Sequence, residues 1–164
     1  MLVRLGKRRF GDFVRTIDAM AAATPPTLRP DVVLGGAVAD ARVPTAMTVG
    51  YPGGVALLAP WPEAPLIRRS YVEQLVLGSC RESAAGPFLT MRAYRAFGVD
   101  PNERIRPWER TEDDLRTAAT PDEAAFLQTL ATIDDTTLFS LLAAARHTPA
   151  MCDWDLPQWT TELA

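Results

Sequence analysis

The sequence predicts an α+β fold, a small sheet with a cluster of helices, preceded by an N-terminal helix and arm. Apolar residues recur at helical spacing in several segments, and the most regular stripe consists of Leu138, Leu141, Leu142 and Ala145. Short apolar runs also flank two glycine pairs before residue 60, as strands flank turns. We therefore expect a helix and extended arm at residues 1–44 and a compact domain at residues 45–164.

The first element is an amphipathic helix over residues 8–23, ended by two prolines. Its apolar face packs either on its own domain or on a partner. In the second case the self-association surface consists of Phe10, Phe13 and Ile17. The following residues, 27–44, form a small hairpin or an irregular arm.

A hairpin is the next element, because two apolar runs at residues 47–49 and 55–58 flank a turn-rich link at 51–54. A short helix follows within residues 63–79, with Ser70 as its cap. A polar loop then leads to a short strand at residues 87–91.

The C-terminal half is expected to be helical around a long loop. A helix over residues 91–99 ends at Gly98, and the charged segment 100–120 predicts a long surface loop, for which one helical turn is an open alternative. Thr120, followed by a proline and two acids, predicts a helix start. The last helix, at 136–147, is expected to be capped by Thr136 or Asp135.

Four motifs carry a family resemblance: MTVGYPGGVALL at 47–58, SYVEQLVL at 70–77, GPFLTMRAYRAF at 86–97 and EAAFLQTLATIDDTTLFSLLAAARH at 123–147. Their order resembles the S-phase-kinase-associated (SKP) ubiquitin-ligase adaptors and elongin C, which share the BTB/POZ fold. The resemblance implies a BTB/POZ core at 45–164 and a cullin or another ligase component as partner. The chain ends soon after Trp159, where SKP adaptors continue with helices that hold F-box proteins, so an elongin-C-like form fits better.

The composition indicates the cellular compartment of the protein and the kinds of partner it binds. The chain has 164 residues, a net charge of −3 and two cysteines without metal-type spacing, which predicts an intracellular protein, cytoplasmic or nuclear. No run is long enough to span a membrane. Basic residues near the N-terminus predict a solvated helix face in preference to nucleic-acid binding, which stays a minor alternative through Arg4, Lys7, Arg8 and Arg9. The arginine-rich composition, with Lys7 as the only lysine, also suits a large DNA virus, so a virion-associated role stays open.

The sequence predicts no catalytic site, metal site or cofactor. His147 is the only histidine and is better explained by its place at a helix end, while Cys80 lies in no recognisable nucleophile motif. A small enzyme using this pair is the minor alternative. Adjacent acids such as Asp134 and Asp135 diverge on a helix and so predict a cap rather than a metal site.

The function predicted is a non-enzymatic protein–protein interaction, either as an adaptor or by self-association into a homo-oligomer. Tryptophans in loops and tails are typical of recognition surfaces as well as of core edges. The residues expected to bind a partner are three that lie nearest the partner-binding helix of the resembled family and two of the C-terminal tail: Leu138, Phe139, Leu142, Trp154 and Trp159.

Overall fold

The computed structural model describes residues 7–30, 32–36, 47–51, 54–58, 64–80, 83–105, 107, 109–148 and 154–164. Its elements in chain order are α1 (Lys7–Ala23), β1 (Val32–Gly36), β2 (Met47–Tyr51), β3 (Gly54–Leu58), α2 (Ala64–Cys80), α3 (Gly86–Ala96), α4 (Glu112–Ala118), α5 (Pro121–Thr132), α6 (Asp135–His147) and α7 (Leu156–Leu163). The chain divides into two compact units, Met1–Gly78 and Ser79–Ala164. The predicted domain boundary between residues 44 and 45 lies outside the described residues and stays a prediction.

Three short strands in the first unit form one sheet with β3 in the middle. β1 runs parallel to β3 and pairs Leu34 with Ala56, while β2 runs antiparallel to β3 and pairs Val49 with the same residue. β2 and β3 lie in the segment for which the sequence predicts a hairpin. The principal contacts of these strands are with one another.

The two helices of the first unit are joined by a buried hydroxyl pair. The α1 helix is confirmed, with Ile17 and Met20 on its buried face. Beyond its end, the Thr24 hydroxyl donates to the Met20 carbonyl oxygen at 2.7 Å. The same hydroxyl lies 2.9 Å from the hydroxyl of Tyr71 on α2, so the residue after α1 is hydrogen-bonded to α2.

The prediction that Ser70 caps a short helix is wrong. The α2 helix begins at Ala64, and Ser70 lies inside it as a fully buried residue. The earlier start agrees with Pro65, because the first turn of a helix leaves its N–H groups without intrahelical partners and tolerates a residue that has none.

The second unit consists of helices in its described part. α3 contacts α4, α5 and α6, and α5 also contacts α7. Phe88 on α3 meets Phe126 on α5 edge-to-face, with ring centroids 6.0 Å apart. Both rings are buried, as aromatic pairs in protein cores usually are. α3 is therefore the helix on which this unit is assembled.

The predicted α+β fold with a BTB/POZ core is wrong, because helices make up most of the described residues and the sheet is limited to three five-residue strands in the first unit. Apart from Leu28, which lies in a turn after α1, the buried hydrophobic residues that the structure describes lie on helices or directly beside them. Residues 87–91, expected as a strand, form the first turns of α3. Pro87 stands in the first turn, where a missing N–H costs nothing, and an apolar run of five residues does not distinguish a buried strand from a buried helix.

The expected loop at 100–120 is wrong in its second half, where α4 begins with a capping box. The Thr111 hydroxyl accepts from the Asp114 N–H at 3.1 Å, and the Asp114 carboxylate accepts from the Thr111 N–H at 2.8 Å. These reciprocal bonds satisfy two N–H groups that the helix start would otherwise leave without partners. Charge and proline content predict a loop here, whereas the Thr111–Asp114 spacing is typical of a helix start.

Caps at two further helix starts test the sequence predictions directly. Thr120 is confirmed as the cap of α5, again in a capping box, with Glu123. The cap of α6 is Asp134, whose carboxylate accepts from the Thr137 N–H at 2.7 Å, so Thr136 and Asp135 are not the caps. α6 therefore starts one residue earlier than predicted.

The end of α3 is a left-handed glycine turn, as the sequence predicts. Gly98 has a φ of +65°, a conformation that residues with a Cβ rarely adopt. Its N–H donates to the Arg95 carbonyl oxygen at 3.1 Å, and the Val99 N–H donates to the Tyr94 carbonyl oxygen at 2.8 Å. This pair of bonds is the Schellman motif, which satisfies the last carbonyls of the helix and ends it.

Candidate binding site

Three of the residues predicted to bind a partner lie in the interior of the second unit. Leu138 and Leu142 on α6 and Trp159 on α7 are at most 1 % exposed. Side chains buried to this degree stabilise the unit that contains them and are not presented to a partner in this conformation.

The other two predicted residues, Phe139 and Trp154, are half-buried. Phe139 packs on Phe97 with ring centroids 5.5 Å apart, and Trp154 packs edge-to-face on Trp159 at 5.4 Å. Both side chains therefore contact their own unit and keep part of their surface exposed. Partner binding by these two residues stays a prediction.

The predicted self-association surface on α1 is partly buried. Ile17 is 9 % exposed, whereas Phe13 is half-buried, and the side chain of Phe10 lies outside the described part. Val14, beside Phe13, is 36 % exposed. Among the described side chains of α1, Phe13 and Val14 are thus the large apolar residues that keep accessible surface.

The structure does not pair the two candidate catalytic residues in a cleft. Cys80 is a fully buried thiol at the end of α2, and His147 is an exposed residue at the last position of α6. Neither residue lines the cleft of the second unit described next. Nothing in their placement assembles a nucleophile with its base.

A cleft of about 410 Å³ opens on the second unit, between α3, α4, α5 and the first turn of α6. Its lining comprises a nearly buried apolar floor and a charged rim: Phe88, Met91, Leu127, Leu130 and Ala131, with Arg92, Arg95, Glu112, Arg116 and Asp135. The apolar side chains except Ala131 are at most 8 % exposed, so the surface that a ligand would meet is mainly charged.

A buried glutamate joins two arginines in this cleft, and we call Arg95, Glu112 and Arg116 the arginine–glutamate triad. Arg95 donates from Nε and Nη2 to Glu112 Oε2, at 2.9 and 2.7 Å. Arg116 donates from Nε to Glu112 Oε1 at 3.0 Å, and its Nη2 donates to the same oxygen. The Glu112 side chain is 4 % exposed, whereas those of Arg95 and Arg116 are 54 % and 48 % exposed.

The triad keeps Glu112 ionised. Burial raises the pKa of the Glu112 carboxyl, but the hydrogen bonds and positive charges of Arg116 and Arg95 together lower it more. Its pKa therefore lies below the ordinary value of 4.5. With one carboxylate shared between two guanidinium groups, the triad carries one net positive charge near neutral pH.

Arg92, about one turn before Arg95 on α3, also lines the cleft and has a different role. Its Nε donates to the Leu130 carbonyl oxygen at 3.1 Å, and its Nη2 donates to the Ile133 carbonyl oxygen at 2.8 Å. The same Nη2 lies 2.8 Å from a carboxylate oxygen of Asp135. Arg92 thus caps the end of α5 and links it to the first turn of α6, and its charge is balanced by Asp135.

Only part of the triad had a sequence signal. Glu112 and Arg116 are four residues apart, the spacing at which opposite charges pair on one helix face. That signal depends on recognising α4 as a helix. Arg95 lies 17 residues before Glu112, and only the packing of α3 against α4 brings the two together.

No known protein family, curated protein or solved structure matches the chain. The resemblance to SKP-type adaptors stays a prediction from the residues, and the BTB/POZ fold that it implies is not the fold observed. Among the described helices, none combines the length and apolar character needed to cross a membrane.

Proposed function

We propose that this protein is a non-enzymatic interaction protein and that the cleft of its second unit is where a partner protein docks. The observation that carries the proposal is the arginine–glutamate triad, which places one uncompensated positive charge in an open concave surface. Arginine is enriched at protein interfaces because its planar guanidinium group binds carboxylates with two hydrogen bonds at once.

The chemistry of the cleft supports binding over catalysis. Glu112 is its best-buried ionisable group, and a carboxylate held by four N–H donors with a lowered pKa is a weak proton acceptor near neutral pH. The described nucleophile and base candidates, Cys80 and His147, lie outside the lining. The charged side chains of the cleft pair with one another, an arrangement that favours binding over proton transfer.

An adaptor role in a ubiquitin ligase and a virion-associated role both rest on the sequence alone. The first was implied by the resemblance to SKP-type adaptors, and the fold does not support it. Docking of a partner in the cleft requires neither role, since it depends on the residues of the cleft.

Photo-cross-linking from the cleft tests the proposal. A photoreactive amino acid replaces Ala131, an exposed residue of the lining, and in a control it replaces Ala125, an exposed residue of the same helix outside the lining. The partner recovered from the source cells is then purified, and its affinity for the wild-type protein is measured by calorimetry.

We expect Ala131→Trp, which fills the cleft, to weaken binding of that purified partner at least about tenfold, a loss of 1.4 kcal/mol. Ala125→Trp should leave the affinity unchanged. A partner that cross-links equally from both positions, or that binds both variants equally, would show that docking does not use the cleft.

A further inference from the structure

The two groups of ion pairs in the cleft are balanced differently. Arg92 pairs with Asp135, one positive charge with one negative charge. Arg95 and Arg116 share Glu112, two positive charges with one negative charge. The uncompensated charge of the cleft is therefore located at the triad, in a chain whose net charge is −3. A ligand of the opposite charge would be drawn to this point in particular.

The triad also retains unused hydrogen-bond donors. A guanidinium group has five N–H bonds, and Arg95 and Arg116 each use Nε and Nη2 on Glu112. Within the described part of the chain, the Nη1 amino groups of both residues have no acceptor. Both side chains are about half exposed, so these donors remain accessible to a ligand.

Glu112 fixes the two guanidinium groups before a ligand arrives. An exposed arginine ordinarily loses side-chain entropy when it binds an anion, because its long side chain becomes ordered. Here two hydrogen bonds from each arginine to one buried carboxylate have already ordered the outer donors. Such preorganisation favours binding without any added contact.

We propose that the triad binds a single carboxylate, carried on the side chain of an aspartate or glutamate in a segment of the partner protein, through Arg95 and Arg116. This inference rests on the proposed function and names the chemistry that the cleft selects. One carboxylate neutralises the one excess charge of the triad. A phosphate group carries more negative charge than the triad can neutralise.

A segment of a protein suits the cleft better than a free small anion. The arginines are half exposed, and ion pairs in such positions contribute little by themselves because water and salt screen them. The triad therefore supplies selectivity, and the rest of the segment, which meets the exposed Ala131 and the cleft rim, supplies the remaining affinity.

Synthetic nonapeptide pools test the inference on the full chain. Each pool has one fixed central residue, which is glutamate, glutamine, lysine or phosphoserine, and mixed residues elsewhere. Fluorescence anisotropy at low salt measures their binding. We expect the glutamate pool to bind about five- to tenfold more tightly than the glutamine pool, since hydrogen bonds to a charged group are stronger than neutral ones. Added salt should reduce this preference.

Variants then assign the preference to the triad. Changing Arg95 and Arg116 both to lysine keeps the charge but removes the fork-shaped donors, and it should abolish most of the preference. If the lysine variant does not fold, the triple variant Arg95→Gln, Glu112→Gln and Arg116→Gln replaces it. This variant removes all three charges together and therefore leaves no buried carboxylate without a partner. Arg104→Gln is the matched control, because Arg104 is 47 % exposed and pairs with Asp114 outside the cleft lining.

Each result supports or overturns the inference. Equal binding of the glutamate and glutamine pools, or a preference that persists in folded triad variants, overturns it. If the phosphoserine pool binds more tightly than the glutamate pool, a carboxylate is not the preferred ligand. If free glutamate displaces the glutamate pool at the same concentration, the ligand need not be part of a protein segment. If no pool binds while the partner still cross-links from Ala131, the proposed function stands and the carboxylate inference fails.

Discussion

At the scale of single residues, Glu112 determines both the charge of the cleft and much of its local stability. Its carboxylate is buried, yet it has a full set of charged hydrogen-bond donors from Arg95 and Arg116. A buried carboxylate without such partners would be strongly destabilising. The half-exposed arginines can recover water when the carboxylate is removed, which limits the cost of losing it.

Replacing Glu112 with glutamine should lower the free energy of unfolding by about 1–2 kcal/mol, less than the 3–5 typical of fully buried pairs because its partners are half exposed. Urea denaturation followed by circular dichroism measures this change. Glu103→Gln is the control, since Glu103 is exposed, and it should stay within about 0.5 kcal/mol of the wild type. Equal effects of the two substitutions would contradict a stabilising role for the triad.

The pKa values of three carboxyls predict how stability depends on pH. Hydrogen bonds from the Thr111 and Thr137 N–H groups lower the pKa values of Asp114 and Asp134, as the arginines lower that of Glu112 against the effect of burial. A carboxyl whose pKa is lower in the folded state than in the unfolded state stabilises the fold at pH values above the unfolded-state pKa. This stabilisation is lost as the pH falls through the folded-state pKa.

The free energy of unfolding should therefore fall as the pH is lowered below the ordinary Glu pKa of 4.5. Urea titrations at a series of pH values measure the slope. In the double variant Glu112→Gln and Asp134→Asn the slope should be shallower, because two of the three groups no longer titrate. An unchanged slope in that variant would show that other groups control the acid response.

At the scale of elements, side-chain caps mark where four helices of the second unit begin, whereas α3 has none. α4, α5, α6 and α7 each start after a residue whose side chain accepts a backbone N–H of the first turn: Thr111, Thr120, Asp134 and Asp155. Starting a helix costs free energy, and a short helix has few intrahelical hydrogen bonds to offset that cost. The capping bonds therefore contribute most in short helices such as these.

The cap of α6 separates the observed structure from the sequence prediction. Asp134→Ala should cost about 1 kcal/mol of stability, whereas Asp134→Asn, which keeps an acceptor oxygen, should cost a few tenths. Thr136→Ala should be nearly neutral, since Thr136 is exposed and is not the cap. Chemical denaturation of the three variants measures these changes in the free energy of unfolding. A larger loss of stability for Thr136→Ala than for Asp134→Ala would show that Thr136 is the cap after all.

Local signals in the sequence predicted the elements unevenly, for physical reasons. The Thr120–Glu123 capping box and the glycine stop at Gly98 were recognisable because each depends on neighbouring residues alone. The apolar run at 87–91 was assigned to a strand because five residues fit either period, and α3 is helical through its contacts with α4, α5 and α6. The cleft was missed because its charges come from separate helices.

At the scale of the whole molecule, the two units differ in what they contain. The first has a three-stranded sheet with α1 and most of α2, and the described part of the second has helices. The proposed docking cleft belongs to the second unit, and the predicted self-association surface on α1 belongs to the first. Partner binding and self-association can therefore be tested by separate substitutions.

The expected homo-oligomer is tested by light scattering on the purified full chain. If α1 forms the contact, Phe13→Lys should shift the mass from that of an oligomer to that of a monomer, because a charged residue is costly to bury at an apolar interface. Leu77→Lys is the control, since Leu77 is an exposed apolar residue of the same unit, on α2. A wild-type chain that is already monomeric would contradict self-association.

The turn at Gly98 has a stereochemical consequence. A φ of +65° is the mirror image of ordinary helical geometry, so an amino acid of the opposite hand would adopt it without strain. In a chemically synthesised chain, a D-alanine at position 98 would restrict the unfolded ensemble more than glycine does while keeping the native turn. The junction after α3 is thus a position where reversing the chirality of one residue is expected to strengthen the fold.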